Sequence, residues 1–301
     1  MKTRQKRLIG SLISLTMVLV SALPAIGITW GEPDTGDAYP AVGAIMIDWR
    51  VIDVPEFGLG IYCSGTLIHE SVFLTAGHCA DGLIADGLID ADGYPILGEG
   101  GEADIWVSFD ADPSDFDPPD TTTRCDTCLD VVRVVNSPLY RWGPSSDPHD
   151  IAAIILAEPS SITPMPYAGP EALEDLRGST TPRNGESRER FTVVGYGGSF
   201  VGEPPPWDIE YLDHRAFAQS AFQNLHNAWL RVSQNQSKGD EGTCYGDSGG
   251  PILRDVEGTE VVVGITSWGD VPCASMGFYY RVDIAHSQEF IAAVIAEATG
   301  S

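Results

Sequence analysis

The chain has 301 residues, 43% hydrophobic and 20% charged, a balance that excludes a disordered protein and provides core for one large domain or two smaller ones. Its formal net charge is −26 at pH 7, and removing segment 1–27, which holds Lys2, Arg4, Lys6 and Arg7 but no acid, takes it to about −30. That charge weighs against nucleic acid as a partner. After residue 27 Lys238 is the only lysine, and so acidic a surface fits salty surroundings or calcium binding, its firm consequence being solubility.

The chain begins with the basic MKTRQKR, then the 13-residue apolar run LIGSLISLTMVLV, then the small residues of SALPAIG. This is the order of a secretory signal peptide over residues 1–27. The run is shorter than the roughly 20 residues a membrane span needs, and no later segment is long and apolar enough. The expectation is a soluble, exported protein with no membrane association after signal cleavage.

Next come short β-type runs separated by Gly, Pro and Asp: VGAIMI, SVFLTA, DIWVSF, DVVRVV, DIAAIIL, FTVVGYG, AWLRVS, GPILR, EVVVGITSW and GFYYRV. Such spacing predicts an all-β sandwich or barrel. Residues 158–190, with five prolines and little alternation, read as a connector between two β halves. In the last segment, SQEFIAAVIAEA, Phe290, Ile291, Val294 and Ile295 stand at helical spacing. This predicts a terminal helix over about residues 287–298, with Ser287 as its cap. No fixed-period repeat is present.

Six cysteines in an exported chain favour disulfides over metal ligands, and counting alone leaves their pairing open. Cys125 and Cys128 form a CxxC with no second pair or histidine at zinc spacing, and read as a local bridge. In DGLIDADGYPILGE, Asp90, Asp92, Gly93 and Glu99 approach EF-hand spacing, but Leu88 stands where the first ligand belongs. A solvated acidic loop is the reading there, with no metal or cofactor expected and calcium in this broad region the alternative.

Three further stretches bear on chemistry. GDSGG holds Ser248 among glycines that let backbone approach closely and adopt positive φ. TAGHC sets His78 at the end of a strand-like run, and Asp150 directly precedes the apolar IAAIIL. Alone, each has a bland reading: a turn, a histidine packed by a disulfide, a solvated strand end. Together they supply a nucleophile, a base and a carboxylate to orient the base.

In the order His, Asp, Ser, and with the words YPAVGAI, CSGTLIHESVFLTAGHC, HDIAAIIL, FTVVGYG, GTCYGDSGGPIL, GITSWG and GFYYRV, the chain resembles the chymotrypsin-like (trypsin-like) serine peptidases, most of all secreted microbial members. The resemblance implies two six-stranded antiparallel β-barrels and a C-terminal α-helix. It divides the chain into barrel one at about 28–160, barrel two at about 161–286 and the helix. It implies a secreted, monomeric serine endopeptidase acting on protein or peptide substrates. His78 would be general base and acid, Asp150 its orienting group and Ser248 the nucleophile, with the N–H groups of Gly246 and Ser248 as oxyanion hole. Ser267 would support Asp150, residues 267–269 would pair with substrate backbone, and Trp268 would wall the cleft.

By the same resemblance Cys63 pairs with Cys79 and Cys244 with Cys273, leaving Cys125 with Cys128. The pocket floor falls at Gly242, with Thr243 beside it and Gly269 and Gly277 on the walls, which predicts a preference for large or medium apolar residues. A basic preference is the alternative, should Asp240 or Glu241 reach the floor. Cleavage after Gly27 would free Ile28, whose ammonium would pair with Asp247; cleavage elsewhere with later trimming is the other route. Three features depart from the family pattern: the CxxC, the long acidic region 81–120, and an extra residue before Cys273. A catalytically silent binding protein of the same fold is the competing functional reading.

Overall fold

The computed structural model describes residues 28–301 except 55–57, 99–100, 114–124, 126, 144, 180–187, 202–207 and 211–213. The expected signal peptide lies outside the described residues.

Barrel one is built from β2 (Val42–Asp48), β3 (Leu59–His69), β4 (Val72–Thr75), β5 (Ile105–Ser108), β6 (Leu129–Asn136) and β7 (Ala152–Leu156), closed in the order β2-β3-β4-β7-β6-β5. Every pairing is antiparallel. Barrel two is built from β8 (Arg190–Gly195), β11 (Ala216–Leu225), β12 (Trp229–Ser233), β13 (Pro251–Val256), β14 (Thr259–Gly269) and β15 (Met276–Arg281). Pairing of β8 with both β11 and β13 closes it. The short β1 (Glu32–Pro33) adds to β11, and β9 (Ser199–Val201) pairs with β10 (Asp208–Glu210) as a separate ribbon. This is the chymotrypsin fold expected from the resemblance.

Ten of the twelve barrel strands coincide with the β-type runs. The other two lack their signature. β3, LGIYCSGTLIH, is broken by glycines and small residues, and β11, AFAQSAFQNL, is rich in alanine, a poor strand former. Pairing with neighbours on both sides makes them strands regardless of propensity.

All residues of β2, β4 and β7 are buried, the outward-facing ones included. Over β4 and β7 the cover is α2 (Ala285–Thr299), which lies after barrel two in sequence yet packs on barrel one through Phe290, Ile291 and Val294. The helix begins two residues before the expected start. Ser287 does not cap it: Ile284 is the N-cap residue, and Ser287 sits in the first turn with its hydroxyl donating to the Arg281 carbonyl at 2.6 Å. A buried carbonyl at the strand end outcompetes the helix N–H groups for that hydroxyl. A second helix, α1 (Gly77–Ala85), follows β4.

The seam between the barrels is polar and satisfied. The Tyr196 hydroxyl donates to the Asp110 carbonyl (2.8 Å) and lies 3.2 Å from that of Val42. Fully buried Arg215 donates to the Val42 and Phe109 carbonyls and to Asp34, an ion pair that fixes the segment following Ile28. A guanidinium has enough donors to tie three chain segments at one point.

Candidate active site

His78 is the second residue of α1, directly after the turn out of β4. Gly77 makes that turn possible, because a Cβ there would lie 2.8 Å from the Tyr140 ring and 3.0 Å from Asn136 Oδ1. Asn136 secures the turn by donating to the Gly77 carbonyl at 3.0 Å. Asp150 sits at the entry to β7 and is 4% exposed. Its carboxylate accepts the His78 backbone N–H (2.8 Å), faces Nδ1 of the same residue (3.0 Å to Oδ2), and accepts the Ser267 hydroxyl. Burial alone would raise this carboxyl; the charge of His78 and the hydrogen bonds from His78 and Ser267 outweigh it and hold Asp150 below the usual carboxylate range. With Nδ1 donating to Asp150, Nε2 of neutral His78 is left as an acceptor.

Ser248 lies in the turn before β13. Gly246 and Gly249 take φ of +96° and +85° there, a region costly for side chains. A Cβ on Gly249 would also lie 2.1 Å from Thr75 Oγ1 and 2.3 Å from the Ser64 carbonyl of barrel one. The Ser248 turn is therefore pressed against β3 and β4. Ser64 holds it: its N–H donates to the Ser248 carbonyl (2.8 Å) and its hydroxyl to the Gly246 carbonyl (2.9 Å), while that hydroxyl accepts the Tyr196 N–H (3.1 Å). The sequence reading gave Ser64 no role, although the CSG word was its signal.

His78, Asp150 and Ser248 line one cleft of about 810 Å³, with Thr243, Ser267 and Trp268. Among the described residues His78 and Ser248 are not hydrogen bonded to each other; such contacts commonly tighten only when substrate binds. Trp268 is 51% exposed and stacks on Phe278, centroids 3.8 Å apart, which sets it as a wall of the cleft. Gly269 and Gly277 are paired across β14 and β15, and a Cβ on Gly269 would lie 2.8 Å from the Met276 carbonyl.

The pocket residues are brought together, with one addition. Gly242 and Gly277 face each other across the side chain of Gln234, which the sequence reading missed. The Thr243 hydroxyl is engaged with Tyr279 OH at 2.9 Å. Asp240 points elsewhere: fully buried, it is paired with Arg188 (2.7 Å) and Arg190 (3.1 Å). Glu241 is turned to the Gln219 backbone N–H at 3.3 Å. The extra residue before Cys273 is absorbed by Asp270, whose carboxylate accepts the N–H groups of Ala274, Ser275 and Met276.

The structure contains the disulfides Cys63–Cys79, Cys125–Cys128 and Cys244–Cys273, the first behind His78 and the last beside the cleft. Cys63 and Cys79 also approach His78, but as disulfide sulfurs they are not metal ligands. In the acidic loop Leu88 is buried, Asp90 Oδ1 accepts the N–H groups of Asp92 and Tyr94, and Gly93 takes positive φ with Val134 O 1.9 Å from where a Cβ would stand. Glu99 lies outside the described residues.

Asp247 is fully buried and accepts the N–H groups of Gly197 (2.7 Å) and Cys244 (2.8 Å). Gly195 and Gly197 leave room for it, since a Cβ on either would come within 2.6 Å of its side chain. Burial raises the carboxyl to about 7 despite those two donors. Ile28 is also buried, but in the intact chain its nitrogen is a peptide nitrogen, and no ion pair joins it to Asp247 among the described residues.

Two closed antiparallel barrels, with a serine, a histidine and a buried aspartate in the cleft they share, define a chymotrypsin-like serine peptidase. Residues 122–288, more than half of the chain, match the trypsin family model, and the chain belongs to that family. It is 28% identical over 226 residues to lectizyme of Glossina austeni, covering 72% of this chain and 71% of that protein. It is 26% identical over 238 residues to glandular kallikrein-10 of Rattus norvegicus, covering 75% and 76% respectively.

Proposed function

We propose that the chain is an exported serine endopeptidase that cleaves peptide bonds through His78, Asp150 and Ser248. The observation that carries this is the double hold on His78: Asp150 binds both its backbone N–H and its Nδ1 while Ser267 binds Asp150. A surface aspartate at a strand end has no need of three donors, but a carboxylate that must keep an imidazole in one tautomer does.

In the reaction, Ser248 Oγ attacks the scissile carbonyl and its proton passes to His78 Nε2. The imidazolium that forms is stabilised by Asp150, and the N–H groups of Gly246 and Ser248 take the negative oxygen. His78 then gives the proton to the leaving amine, and an acyl-Ser248 ester remains. Water, deprotonated by His78, opens that ester and restores the serine.

Export follows from the segment 1–27, and among the described residues no helix is long and apolar enough to cross a membrane. Release of Ile28 as a new N-terminus would give Asp247 the cation it lacks and secure the Gly246 to Ser248 turn; the burial of Ile28 and the raised carboxyl of Asp247 both support this. The division is then a signal peptide over 1–27 and a single, monomeric peptidase domain over 28–301. Its pocket prefers apolar residues, since Asp240 is committed to arginines and Glu241 is turned to the Gln219 N–H.

The test is labelling by a fluorophosphonate probe. Labelling of the secreted protein, lost in Ser248→Ala, is expected; no labelling of the wild type would make the chain a binding protein of this fold.

A further inference from the structure

Gln234 follows β12 directly and is 1% exposed. A Cβ on Gly242 would lie 2.2 Å from its Cγ and 2.3 Å from its Cδ, and one on Gly277 would lie 2.3 Å from its Oε1. The glutamine thus fills the space between the two glycines. Its Nε2 donates to the Thr243 carbonyl at 3.0 Å and to the Cys273 carbonyl at 3.4 Å. Only the NH₂ end can donate to carbonyls, so these bonds fix the orientation of the amide. The side chain is strapped between the segment before the nucleophile and the segment after Trp268. The cleft reaches Thr243, Gly269 and Cys273 and stops there, with Gln234 directly behind Thr243 and Cys273 and with Gly242 and Gly277 beyond it.

A glutamine here has a cost, set against its two bonds to the Thr243 and Cys273 carbonyls. Its Oε1 has no hydrogen-bond partner among the described residues, and a buried unpaired acceptor is destabilising.

We propose that Gln234 backs the floor of the primary specificity pocket, behind Thr243 and Cys273, and so sets its depth. This rests on the reading above that the cleft beside Ser248 binds peptide substrates. A substrate side chain entering between Trp268 and Thr243 is stopped by the floor that the Gln234 carboxamide backs before it can reach Gly242. The pocket therefore accepts medium aliphatic side chains, those of valine, leucine and methionine, and excludes the rings of phenylalanine and tyrosine. Long side chains, cationic ones included, are excluded by the same shallow depth.

The first arm of the test measures kcat/KM for peptides that differ only in the residue before the scissile bond. Wild type should favour leucine over phenylalanine by about tenfold or more, a discrimination within reach of pocket shape. Gln234→Ala should bring the ratio to unity or reverse it, and Gln234→Met, which refills the space, should keep the wild-type order. A wild type that prefers phenylalanine, or an unchanged ratio in Gln234→Ala, overturns the proposal. Should Gln234→Ala fail to fold, Gln234→Ser opens the same space and stands in for it.

The second arm needs no turnover. In a Ser248→Ala background, binding of indole is measured by calorimetry, since a space opened by truncation takes up small aromatic molecules. Opening the floor should strengthen binding by about tenfold or more over the same background with Gln234 intact; equal binding overturns the proposal. If the wild type neither labels with fluorophosphonate nor cleaves peptides, the enzymatic reading has failed, and this second arm still decides whether Gln234 closes the pocket.

Discussion

Ser64 of barrel one and Ser248 of barrel two are joined by a 2.8 Å hydrogen bond from the Ser64 N–H to the Ser248 carbonyl, while the Ser64 hydroxyl bridges the Gly246 carbonyl and the Tyr196 N–H. The barrel that carries His78 thus also holds the turn that carries Ser248. Ser64→Ala keeps the first bond and removes the bridge, leaving a buried donor and a partly buried acceptor unpaired. The expected cost is about 1–3 kcal/mol of stability, read by denaturant unfolding. Because small misplacements of reacting groups are expensive, kcat should fall by roughly ten- to a hundredfold, and an unchanged kcat would show that the bridge does not position the turn.

Ser248→Ala and His78→Ala should each lower peptide hydrolysis by several orders of magnitude with the circular dichroism spectrum unchanged. Asp150→Asn should lower kcat by about 10⁴-fold, the size known for the family's reference triad. Ser267→Ala removes one of three donors to Asp150 and should be milder, with a loss of roughly tenfold. Near-normal turnover in the Ser248 or His78 variant would contradict the assignment.

Asp247 gives the intact chain a distinctive pH dependence. Its folded carboxyl is raised to about 7 by burial, above the ordinary value of 3.8, so between these pH values the folded state binds the proton more tightly than the unfolded one. Its contribution to stability is fully present below about pH 4 and is lost as pH rises through about 7, by an amount on the order of a few kcal/mol. Unfolding of the uncleaved Ser248→Ala protein should show this decline, and further replacement Asp247→Asn should abolish it. In protein beginning at Ile28 the new ammonium should hold the carboxylate charged and reverse the trend; acetylation of that terminus should restore it and lower activity.

Asp240 is committed to Arg188 and Arg190, so Asp240→Asn should leave the order of preferred substrates unchanged. It should cost about 1–2 kcal/mol of stability, because two guanidinium groups lose a buried partner while keeping part of their own hydration. A substrate profile that shifts away from Arg and Lys in this variant would show that the carboxylate does reach the pocket.

The strand runs of both barrels were legible because short apolar runs such as VFLT and AAIIL recur between turn residues, too short for helices. GDSGG and TAGHC were legible because they occur together, in order with Asp150, while the contacts that demand glycine at Gly249 and Gly77 come from distant residues. Local order did not reveal β3 or β11, whose weak intrinsic preference is overridden by partners on either side. Nor could it assign Ser287, which has a helix start and a strand-end carbonyl within reach and takes the carbonyl.

Ser64 is separated from Gly246 by 182 residues, and Gln234 meets Gly277 only through the pairing of β12 with β15. A hydroxyl or an amide can satisfy many partners, so residue type does not name its own. By itself the sequence determined which backbone could turn tightly and which runs would be buried. Only the tertiary structure decided which polar groups meet inside, because hydrogen bonds between distant segments depend on barrel closure and register.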